Sequence, residues 1–545
     1  MFDDPHLRPR AANFQPLTPV SFLTRAAEAF PEATAAIWRD ARWDYAGLHA
    51  MAVRMARALR AEGIGPGDVV SILARNRPEM LAAHFAVPAI GAVLNTLNTR
   101  LDADALAYML GHCRSRLLLC DPARCDAAGE AARAAGVRML RLVDPGGEAG
   151  PDRLDVLTGD PDGGVLDLAA IHEEWQPICL NYTSGTTGAP KGAVYHHRGA
   201  FLNAMGNGLA LGFGRRTTYL WTLPMFHCNG WSHTWAVTAA GGTHVCLDEV
   251  EPAAIFDAVA RHGVTHLCCA PVVLYMLLAS PAADAHRARV AEGRVGRVAV
   301  GTGGAAPSPA LIEQLGDLGF DLTHLYGLTE SYGPATICET GAAMEDASTE
   351  EKAAWLSRQG FCHASSGSIR VAPGGVGVGD GDDAPDGGGS QGEILLRGNT
   401  LMAGYFRDAE ATERAFDGGW FHTGDLGRRD ADGAIRITDR EKDLIISGGE
   451  NIASIEVEGV LQRHPSVLLA AVVAMPDEKW GERPCAFVEV KPGRSASAEE
   501  LEVFCRSRLA GYKVPRDYRF GRLPTTATGK IRKYLLRERL RGGAE

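Results

Sequence analysis

The sequence lacks a long apolar run and lacks an excess of positive charge. Its most apolar stretch, LCCAPVVLYMLLAS at residues 267–280, is shorter than the roughly 20 residues that a membrane-spanning helix needs, so we expect a buried strand leading into a helix. Lysine and arginine number 55 against 66 aspartate and glutamate residues, a formal net charge of −11. This balance argues against a nucleic-acid-binding protein and against a general attraction to anionic membranes. We expect a soluble protein with no nucleic-acid partner and no integral membrane segment.

The sequence also lacks a repeated C-x-x-C spacing, and its 12 cysteines are scattered over 545 residues. The adjacent Cys268 and Cys269 have a poor geometry for a disulfide or a pair of metal ligands. The pattern therefore indicates reduced, structural thiols. The first residues, MFDDPHLRPR, are not followed by the apolar segment of a secretion signal, and the last, RGGAE, are not a peroxisomal or endoplasmic-reticulum signal. We expect a cytoplasmic location.

The chain length of 545 residues exceeds that of one ordinary hydrophobic core, so two or more domains are expected. Alanine-rich segments with helical periodicity alternate with short apolar runs such as DVVSILA and SRLLLCD. This alternation predicts an α/β fold with largely parallel sheets. From ITDREKDLIISGGENI onwards, β-α-β-like patterns predict a small second domain. We place the domains at residues 1–441 and 442–545.

The sharpest change in composition is VAPGGVGVGDGDDAPDGGGSQG at residues 371–392. Because it precedes the strand-like EILLRG, it is predicted to be a solvent-exposed loop between β-strands and not a domain linker. Its role does not follow from its composition.

The segment NYTSGTTGAPKG at residues 181–192 has the composition of a phosphate-binding loop. Its hydroxyls, glycines and lysine suit polyphosphate oxygens. The P-loop of kinases and GTPases needs a glycine directly before the lysine and a serine or threonine directly after it. Lys191 is flanked instead by Pro190 and Gly192, which excludes that pattern.

Later segments suit other parts of a nucleotide. GTGGAAP at residues 301–307 could lie flat against a planar base, and YGLTE at 326–330 offers an aromatic face and a carboxylate. TGD at 423–425 adds a second carboxylate, while DREKD and TATGKIRK add Arg440 and Lys530. A base, a ribose, phosphates and a divalent metal ion would occupy all of these groups.

Taken in this order, the motifs closely resemble those of the AMP-forming adenylate ligase superfamily, in particular its acyl-CoA synthetases, over about residues 22–541. The resemblance implies a large N-terminal domain of two α/β subdomains plus a β-subdomain, followed by a small mobile α+β C-terminal domain. It also implies a reaction in which ATP and Mg²⁺ activate a carboxylic acid as an acyl-adenylate, with release of pyrophosphate, before a thiolate displaces AMP.

The resemblance assigns a role to each motif. Thr183 and Glu330 would place Mg²⁺ and act in catalysis together with Lys530, which would reach the acyl carboxylate and the α-phosphate. Tyr326 would stack on adenine, and Asp425, supported by Arg440, would accept hydrogen bonds from the ribose. The implied nucleotide site comprises Thr183, Ser184, Gly185, Thr186, Thr187, Gly188, Lys191, Gly303, Gly304, Ala305, Tyr326, Gly327, Thr329, Asp425, Arg440 and Lys530.

Each assignment has a purely structural alternative. Asp425 could be a turn residue, Tyr326 a core aromatic, and Lys530 part of the basic face of a solvated helix. Glu393 is a metal-ligand candidate by residue type, but it lies outside the motifs. The resemblance also places a hinge at Lys442, two residues after the arginine of DREKD, whereas the alternative makes Lys442 an exposed charge in a loop.

The acceptor is predicted to be CoA. IISGGENI at residues 445–452 resembles the glycine turn that approaches pantetheine in acyl-CoA ligases, which implicates Ser447, Gly448, Gly449 and Glu450. A freestanding enzyme that loads an acyl carrier protein is the alternative, and a catalytically silent nucleotide-binding homologue is a third hypothesis. A homodimer is a further hypothesis for the assembly of the chain.

The acid is indicated by WTLPMFHCNGW at residues 221–231. It resembles a branch of ligases that act on short- to medium-chain, branched or aromatic acids. If this segment is helical, His227 and Trp231 share one face and line the acyl pocket with Gly230, and the indole disfavours very long chains. His227, Cys228 and His233 do not have the spacing of a recognisable metal site.

Overall fold

The computed structural model of the chain describes residues 5–148, 150, 152–158, 164–183, 189–303, 307, 309–341, 344, 346–373, 391–525 and 531–541. Several predicted site residues lie outside these ranges and have no structural description here: Ser184, Gly185, Thr186, Thr187, Gly188, Gly304, Ala305 and Lys530.

The strands of the large N-terminal part are β1 (Thr34–Trp38), β2 (Ala41–Asp44), β3 (Val69–Leu73), β4 (Val93–Thr96), β5 (Ser115–Cys120), β6 (Arg138–Leu142), β7 (Arg153–Leu154), β8 (Pro177–Tyr182), β9 (Gly192–His196), β10 (Thr218–Trp221), β11 (Thr243–Cys246), β12 (His266–Cys269), β13 (Val298–Gly303), β14 (Phe320–Leu328), β15 (Gly333–Ile337), β16 (Phe361–Cys362), β17 (Ser368–Pro373), β18 (Gly392–Arg397), β19 (Gly404–Tyr405), β20 (Phe421–Arg429) and β21 (Ile435–Arg440).

The helices of this part are α1 (Ser21–Ala29), α2 (Tyr45–Ala61), α3 (Pro78–Ala89), α4 (Ala103–His112), α5 (Cys125–Ala135), α6 (His197–Ala210), the single turn α7 (Cys228–Trp231), α8 (His233–Ala240), α9 (Pro252–His262), α10 (Pro271–Ala279), α11 (Ala283–Ala291), α12 (Pro309–Asp317), α13 (Thr349–Leu356) and α14 (Ala409–Ala415).

Two α/β layers carry most of this part. In the described residues, one sheet has the order β16-β15-β14-β13-β12-β10-β11-β1-β2 and the other the order β19-β9-β8-β4-β3-β5-β6-β7. Their central strands are parallel, and antiparallel pairs occur towards the edges. Strands such as β3 and β4 are buried along their whole length, as expected of parallel strands covered by helices on both faces. The predicted α/β class with largely parallel sheets is confirmed.

A third, antiparallel sheet in the order β17-β18-β20-β21 forms the β-subdomain. Its strands β17 and β18 pair from Ser368–Arg397 to Pro373–Gly392. The Gly/Asp-rich segment therefore connects two adjacent antiparallel strands, in agreement with the predicted β-loop, although its residues 374–390 lie outside the described ranges.

The small C-terminal part has its own sheet and its own core. It contains β22 (Ile445–Ser447), β23 (Glu450–Ile452), α15 (Ser454–Leu461), β24 (Val467–Asp477), β25 (Gly481–Val490), α16 (Ala498–Arg506), β26 (Asp517–Phe520) and α17 (Lys533–Arg541). Side chains including Ile445, Val457 and Leu501 pack there into a separate hydrophobic cluster. The α+β class predicted for this part is confirmed, and the boundary at residues 441/442 stays a prediction.

The structure bears on the cysteines and on the search for a membrane-spanning helix. The cysteines are free, and most of them are buried, as expected of structural thiols. No helix in the described ranges is long and apolar enough to cross a membrane.

Candidate active site

The predicted phosphate loop connects β8 and β9, which form an antiparallel hairpin. Strands β8 and β9 pair up to Tyr182 and Gly192, and the backbone N–H of Thr183 donates to the carbonyl of Lys191 at 2.8 Å. Thr183 and Lys191 therefore stand opposite each other at the base of the loop. The sheet therefore fixes Thr183 and Lys191, the two ends of the loop.

Lys191 and Glu330 both contact Tyr405, an aromatic residue outside the predicted motifs. The ammonium of Lys191 lies 4.9 Å from the ring centroid of Tyr405, and the Tyr405 hydroxyl donates to Oε1 of Glu330 at 2.7 Å. Burial and the adjacent Glu330 carboxylate raise the pKa of Tyr405, so its phenol stays protonated and acts as a donor. Tyr405 lies in the short edge strand β19, and no sequence signal singled it out.

Thr183 and Glu330 fit the predicted magnesium site by their chemistry. Within the described ranges, no three His, Cys, Asp or Glu side chains are grouped to hold a metal ion. Mg²⁺ commonly needs only one or two protein carboxylates, because substrate phosphates and water fill its other positions. The half-buried Glu330 carboxylate, of which the structure shows Oε1 paired with Tyr405, matches that requirement.

The predicted base and ribose groups converge on neighbouring strands. Gly303 at the end of β13 pairs with Leu325 of β14, so Tyr326 follows directly beside it. The Tyr326 hydroxyl donates to Oδ2 of Asp425 at 2.8 Å. The guanidinium Nε of Arg440 lies 3.2 Å from Oδ1 of the same carboxylate. One carboxylate is thus held by two predicted site residues from β14 and β21.

Glu393 supports the turn that carries Asp425. Its side chain is 5 % exposed, and its Oε1 accepts a hydrogen bond from the backbone N–H of Gly424 at 2.9 Å. Its Oε2 lies 2.8 Å from Nδ1 of His422. Because Gly424 has a φ of +67°, the turn needs a residue that tolerates the left-handed region. Glu393 thus stabilises the backbone at Gly424, next to Asp425. Residue type alone did not indicate this role.

Within segment 326–330, the position of Gly327 has no room for a side chain. A Cβ on Gly327 would lie 1.8 Å from the carbonyl oxygen of Gly333. The next predicted residue, Thr329, accepts a hydrogen bond at its carbonyl from the Tyr195 hydroxyl at 2.6 Å. The close pairing of β14 with β15 therefore fixes the path from Tyr326 to Glu330.

The predicted helical face for His227 and Trp231 is wrong. Residues 228–232 all have positive φ, between 43° and 62°, so the backbone is left-handed and the two side chains do not lie one helical turn apart on a right-handed helix. Gly230 is required here for a second reason, because a Cβ would lie 2.8 Å from the Trp221 ring. The sequence NGW contained the residues that favour such a turn, but periodicity arguments assume a right-handed helix.

Trp231 nevertheless lies next to Gly303, one of the predicted nucleotide-site residues. Its indole packs on Gly333, where a Cβ would lie 2.7 Å from Cδ1, and its Cη2 lies 4.0 Å from the Cβ position of Gly303. His227 is half-buried at the start of the turn, with Nε2 3.9 Å from the Cys228 sulfur. His233 is fully buried, and its Nδ1 lies 2.9 Å from the Tyr219 hydroxyl oxygen.

The predicted hinge lies where the two parts of the chain join. Lys442 is in the single 3₁₀ turn Glu441–Asp443, directly after β21. On one side of it, Asp439 accepts hydrogen bonds from the backbone N–H and the hydroxyl of Ser454, at the start of α15. On the other side, Arg537 of α17 donates to Asp443 at 2.7 Å.

The predicted CoA residues form an exposed turn between β22 and β23. Gly448 and Gly449 have φ values of 61° and 87°, and Ser447 pairs with Glu450 across them. The ring of Trp480 packs against Gly448, where a Cβ would lie 2.7 Å from Cε3. The turn therefore depends on glycine both for its backbone conformation and for its contact with Trp480.

The sequence profile of the AMP-binding enzymes matches residues 23–406, and that of the AMP-binding enzyme C-terminal domain matches residues 456–530. The chain belongs to the AMP-binding enzyme family. The family predicted from the motifs is confirmed. Lys530, the predicted catalytic lysine, is the last residue of the C-terminal match.

Curated members of the AMP-binding enzyme family resemble this chain over nearly its whole length. An acetate–CoA ligase of Humulus lupulus is 40% identical, with 97% of this chain and 95% of that protein covered. A 2-methylpropanoate–CoA ligase of the same plant is 40% identical, with coverages of 98% and 97%. A peroxisomal acetate/butyrate–CoA ligase of Arabidopsis thaliana is also 40% identical, with coverages of 96% and 95%.

Solved structures agree with this membership. ATP-bound MatB from Rhodopseudomonas palustris has a TM-score of 0.80 at 27% identity, covering 95% of this chain and 98% of that one. An o-succinylbenzoate CoA synthetase from Bacillus subtilis, solved with its acyl-adenylate intermediate, has a TM-score of 0.77 at 29% identity, covering 96% and 98%.

Proposed function

We propose that this enzyme is an ATP-dependent acid–CoA ligase that forms an acyl-adenylate and then an acyl-CoA thioester. One observation carries the proposal. Tyr326, which contacts Asp425, and Glu330, which contacts Tyr405 beside Lys191, lie four residues apart on one rigid segment. Groups suited to a ribose and groups suited to phosphates are therefore held at a fixed separation, as a nucleotide requires.

In the first half-reaction, these groups bind and orient ATP. Asp425 accepts hydrogen bonds from the ribose hydroxyls, and the Tyr326 ring covers the adenine. Lys191 and the hydroxyls of the adjoining loop bind the β- and γ-phosphates. Glu330 and Thr183 would hold Mg²⁺, which would supply charge neutralisation at the phosphates. The carboxylate of the acid attacks the α-phosphorus, the bond to the pyrophosphate oxygen breaks, and pyrophosphate leaves.

Lys530 supplies the remaining positive charge of this step. An ammonium beside the acyl carboxylate and the α-phosphate oxygens stabilises negative charge that increases in the transition state, an effect worth on the order of a hundred-fold in rate. The small domain must place Lys530 in the large-domain site for this step. In the second half-reaction, the thiolate of CoA attacks the acyl carbon and AMP leaves with the electron pair of the broken bond.

The second half-reaction is assigned to the exposed turn of Ser447, Gly448, Gly449 and Glu450. It carries little side-chain bulk, so the backbone can approach an extended chain such as pantetheine closely. Rotation about Lys442 would exchange this turn for Lys530 in the active site. Asp439 and Asp443, on either side of Lys442, both contact helices of the small C-terminal part.

The acid is proposed to be short or branched. We infer that the indole of Trp231, which packs on Gly333 and lies close to Gly303, limits the length of the acyl chain. The relatives named for acetate, butyrate and 2-methylpropanoate support the same class. Small aromatic acids remain within the size that such a pocket admits.

Three further assignments complete the proposal. The two functional domains are residues 1–441 and 442–545, the location is cytoplasmic, and the assembly is a homodimer. The free, mostly buried cysteines support a reducing compartment. Sedimentation analysis of the purified protein tests the dimer, and a fluorescent fusion imaged in the source cells tests the location.

The acceptor is tested by supplying labelled butyrate and ATP with either CoA or a phosphopantetheinylated carrier protein. The proposal predicts a labelled CoA thioester and release of AMP. Labelling of the carrier protein with CoA left unreacted would identify a carrier-loading enzyme instead. Binding of ATP without either product, with every acid tried, would identify a silent homologue.

A further inference from the structure

The turn that bears Trp231 is strained. Residues 228–232 all adopt left-handed φ values, which cost roughly 1–2 kcal/mol for each residue other than glycine. Asparagine and glycine tolerate this region, and Asn229 and Gly230 occupy two of the positions. Cys228, Trp231 and Ser232 do not have that tolerance. Such a conformation persists only when the surrounding structure holds it.

Four buried asparagines hold this turn, and we name them the asparagine clamp: Asn181, Asn203, Asn207 and Asn229. The backbone N–H of Asn229 donates to Oδ1 of Asn181 at 3.1 Å, and Nδ2 of Asn181 donates back to Oδ1 of Asn229. At the other end of the turn, Nδ2 of Asn203 donates to the Ser232 hydroxyl at 2.9 Å. Nδ2 of Asn207 donates to the carbonyl of Trp231 at 3.2 Å.

The clamp connects three elements of the site. Asn181 is the residue before Tyr182 at the end of β8, so it links the turn to the hairpin of the phosphate loop. Asn203 and Asn207 are four apart on α6 and face the turn together, with Nδ2 of Asn207 also donating to Oδ1 of Asn203 at 3.2 Å. Asn203 reaches the carbonyl of Tyr332 as well, next to Gly333 on which the indole packs.

A neutral histidine completes the network. Nδ1 of His84 lies 2.7 Å from the carbonyl of Met80 and therefore carries the proton. Nε2 of His84 is left as the acceptor for Nδ2 of Asn229, at 3.5 Å. Burial lowers the pKa of His84 to about 4, so this arrangement is kept at neutral pH.

The geometry points to the asparagine clamp as the device that positions Trp231 and so sets the size of acid that the enzyme accepts. The inference rests on the proposed ligase function. Asn207 acts on the backbone of Trp231 directly, and it is a positioning residue because it reaches the acid only through the indole. Without its hydrogen bond, the turn can relax towards right-handed φ values and move the indole away from Gly333.

Asn207→Leu is the test, because it keeps the branched shape of the side chain and removes the donor to Trp231. Selectivity is measured as the ratio of kcat/KM for hexanoate to that for butyrate. We expect this ratio to rise roughly two- to tenfold, the equivalent of one neutral hydrogen bond, while the KM for ATP stays the same. Asn207→Ser, which is too short to reach the carbonyl, serves if the leucine variant does not fold.

Asn95→Leu is the matched control, since Asn95 is equally buried and donates to Ser71 in the interior of a sheet. It should lower stability without changing the selectivity ratio. In a Trp231→Ala background, Asn207→Leu should have no further effect on the ratio, because the residue through which it acts is gone.

The inference is overturned if active Asn207 variants keep the original ratio, if Asn95→Leu shifts it equally, or if Asn207→Leu still shifts it without Trp231. These outcomes differ from a failure of the proposed function. If the proposed function is wrong, the unmutated protein activates no acid, and there is no selectivity ratio to measure.

Discussion

The hydroxyl of Tyr326 donates a 2.8 Å hydrogen bond to the carboxylate of Asp425. The bond joins β14 of an α/β sheet to β20 of the β-subdomain, so two subdomains fix one another at the proposed nucleotide site. Arg440 approaches the other oxygen of the same carboxylate from β21. The carboxylate is thereby held in place before a ribose binds.

Asp425→Asn should raise the KM for ATP and lower turnover, because hydrogen bonds to a charged group contribute about 1.5–3 kcal/mol, or roughly 10- to 100-fold. The fold should be retained, since the amide fills the same space. Asp321→Asn is the control, because Asp321 lies on β14, the strand of Tyr326, and pairs with Arg297 at the surface. Normal ATP kinetics in the Asp425 variant would exclude the ribose role.

Trp231→Ala should shift preference towards longer or bulkier acids, because the indole occupies space beside Gly333 and one methylene in such a pocket is worth about 1–3 kcal/mol. The affinity for ATP should not change. The measurement is kcat/KM across a series of straight-chain acids, with the exposed Trp175 replaced by alanine as the control. A chain-length profile identical to that of the unmutated enzyme would assign Trp231 to core packing.

The two half-reactions should separate in two variants. Lys530→Ala should abolish acyl-adenylate formation yet still convert supplied acyl-adenylate and CoA to thioester. Lys442→Pro fixes φ near −65°, which should trap one pose of the small domain and retain adenylation while thioester formation is lost. Equal impairment of both half-reactions by Lys442→Pro, or loss of the second half-reaction in Lys530→Ala, would contradict rotation about this hinge.

Acid should destabilise the protein well above pH 4. Burial lowers the pKa of His84 to about 4 and those of His233 and His244 to about 3, against 6.5 when unfolded. The unfolded chain therefore binds more protons between these values. The stability is complete above pH 6.5 and falls as the pH drops from 6.5 towards 3, by up to about 1.4 kcal/mol per pH unit for each histidine.

Urea unfolding followed between pH 8 and pH 5 checks this prediction. The midpoint should be level down to about pH 7 and then decrease. His172, which is exposed, should be replaceable by glutamine without changing that dependence, whereas His244→Gln should reduce it. A midpoint that stays constant down to pH 5 would show that these histidines are not held neutral.

The motifs predicted the family and the groups around the nucleotide through their resemblance to a known family, and the alternation of helical and apolar segments predicted the α/β class. Thr183 and Lys191 are eight residues apart in one hairpin, and Tyr326 and Glu330 lie in one segment. Asp425 and Arg440 are paired by the register of β20 and β21. The contacts of these groups agree with the predicted arrangement, although their individual roles stay predictions.

The supporting residues could not be predicted in the same way. Tyr405 reaches Glu330 from 75 residues away in the chain, and Glu393 supports Gly424 from the adjacent strand. Nothing in their local sequence marks these contacts, because tertiary structure creates them. The left-handed turn at Trp231 was missed because part of its stability comes from Asn203 and Asn207, which lie on α6, away from the turn in sequence.

Adenylation of a carboxylic acid is the step that defines the proposed enzyme, and acid-dependent exchange of labelled pyrophosphate into ATP measures that step directly. The panel should include acetate, butyrate, 2-methylpropanoate, benzoate and palmitate, each with and without Mg²⁺. We predict exchange that requires both Mg²⁺ and an added short or branched acid, that is absent with palmitate, and that is lost in Lys530→Ala. Exchange that no acid supports, or that palmitate supports best, would contradict the account.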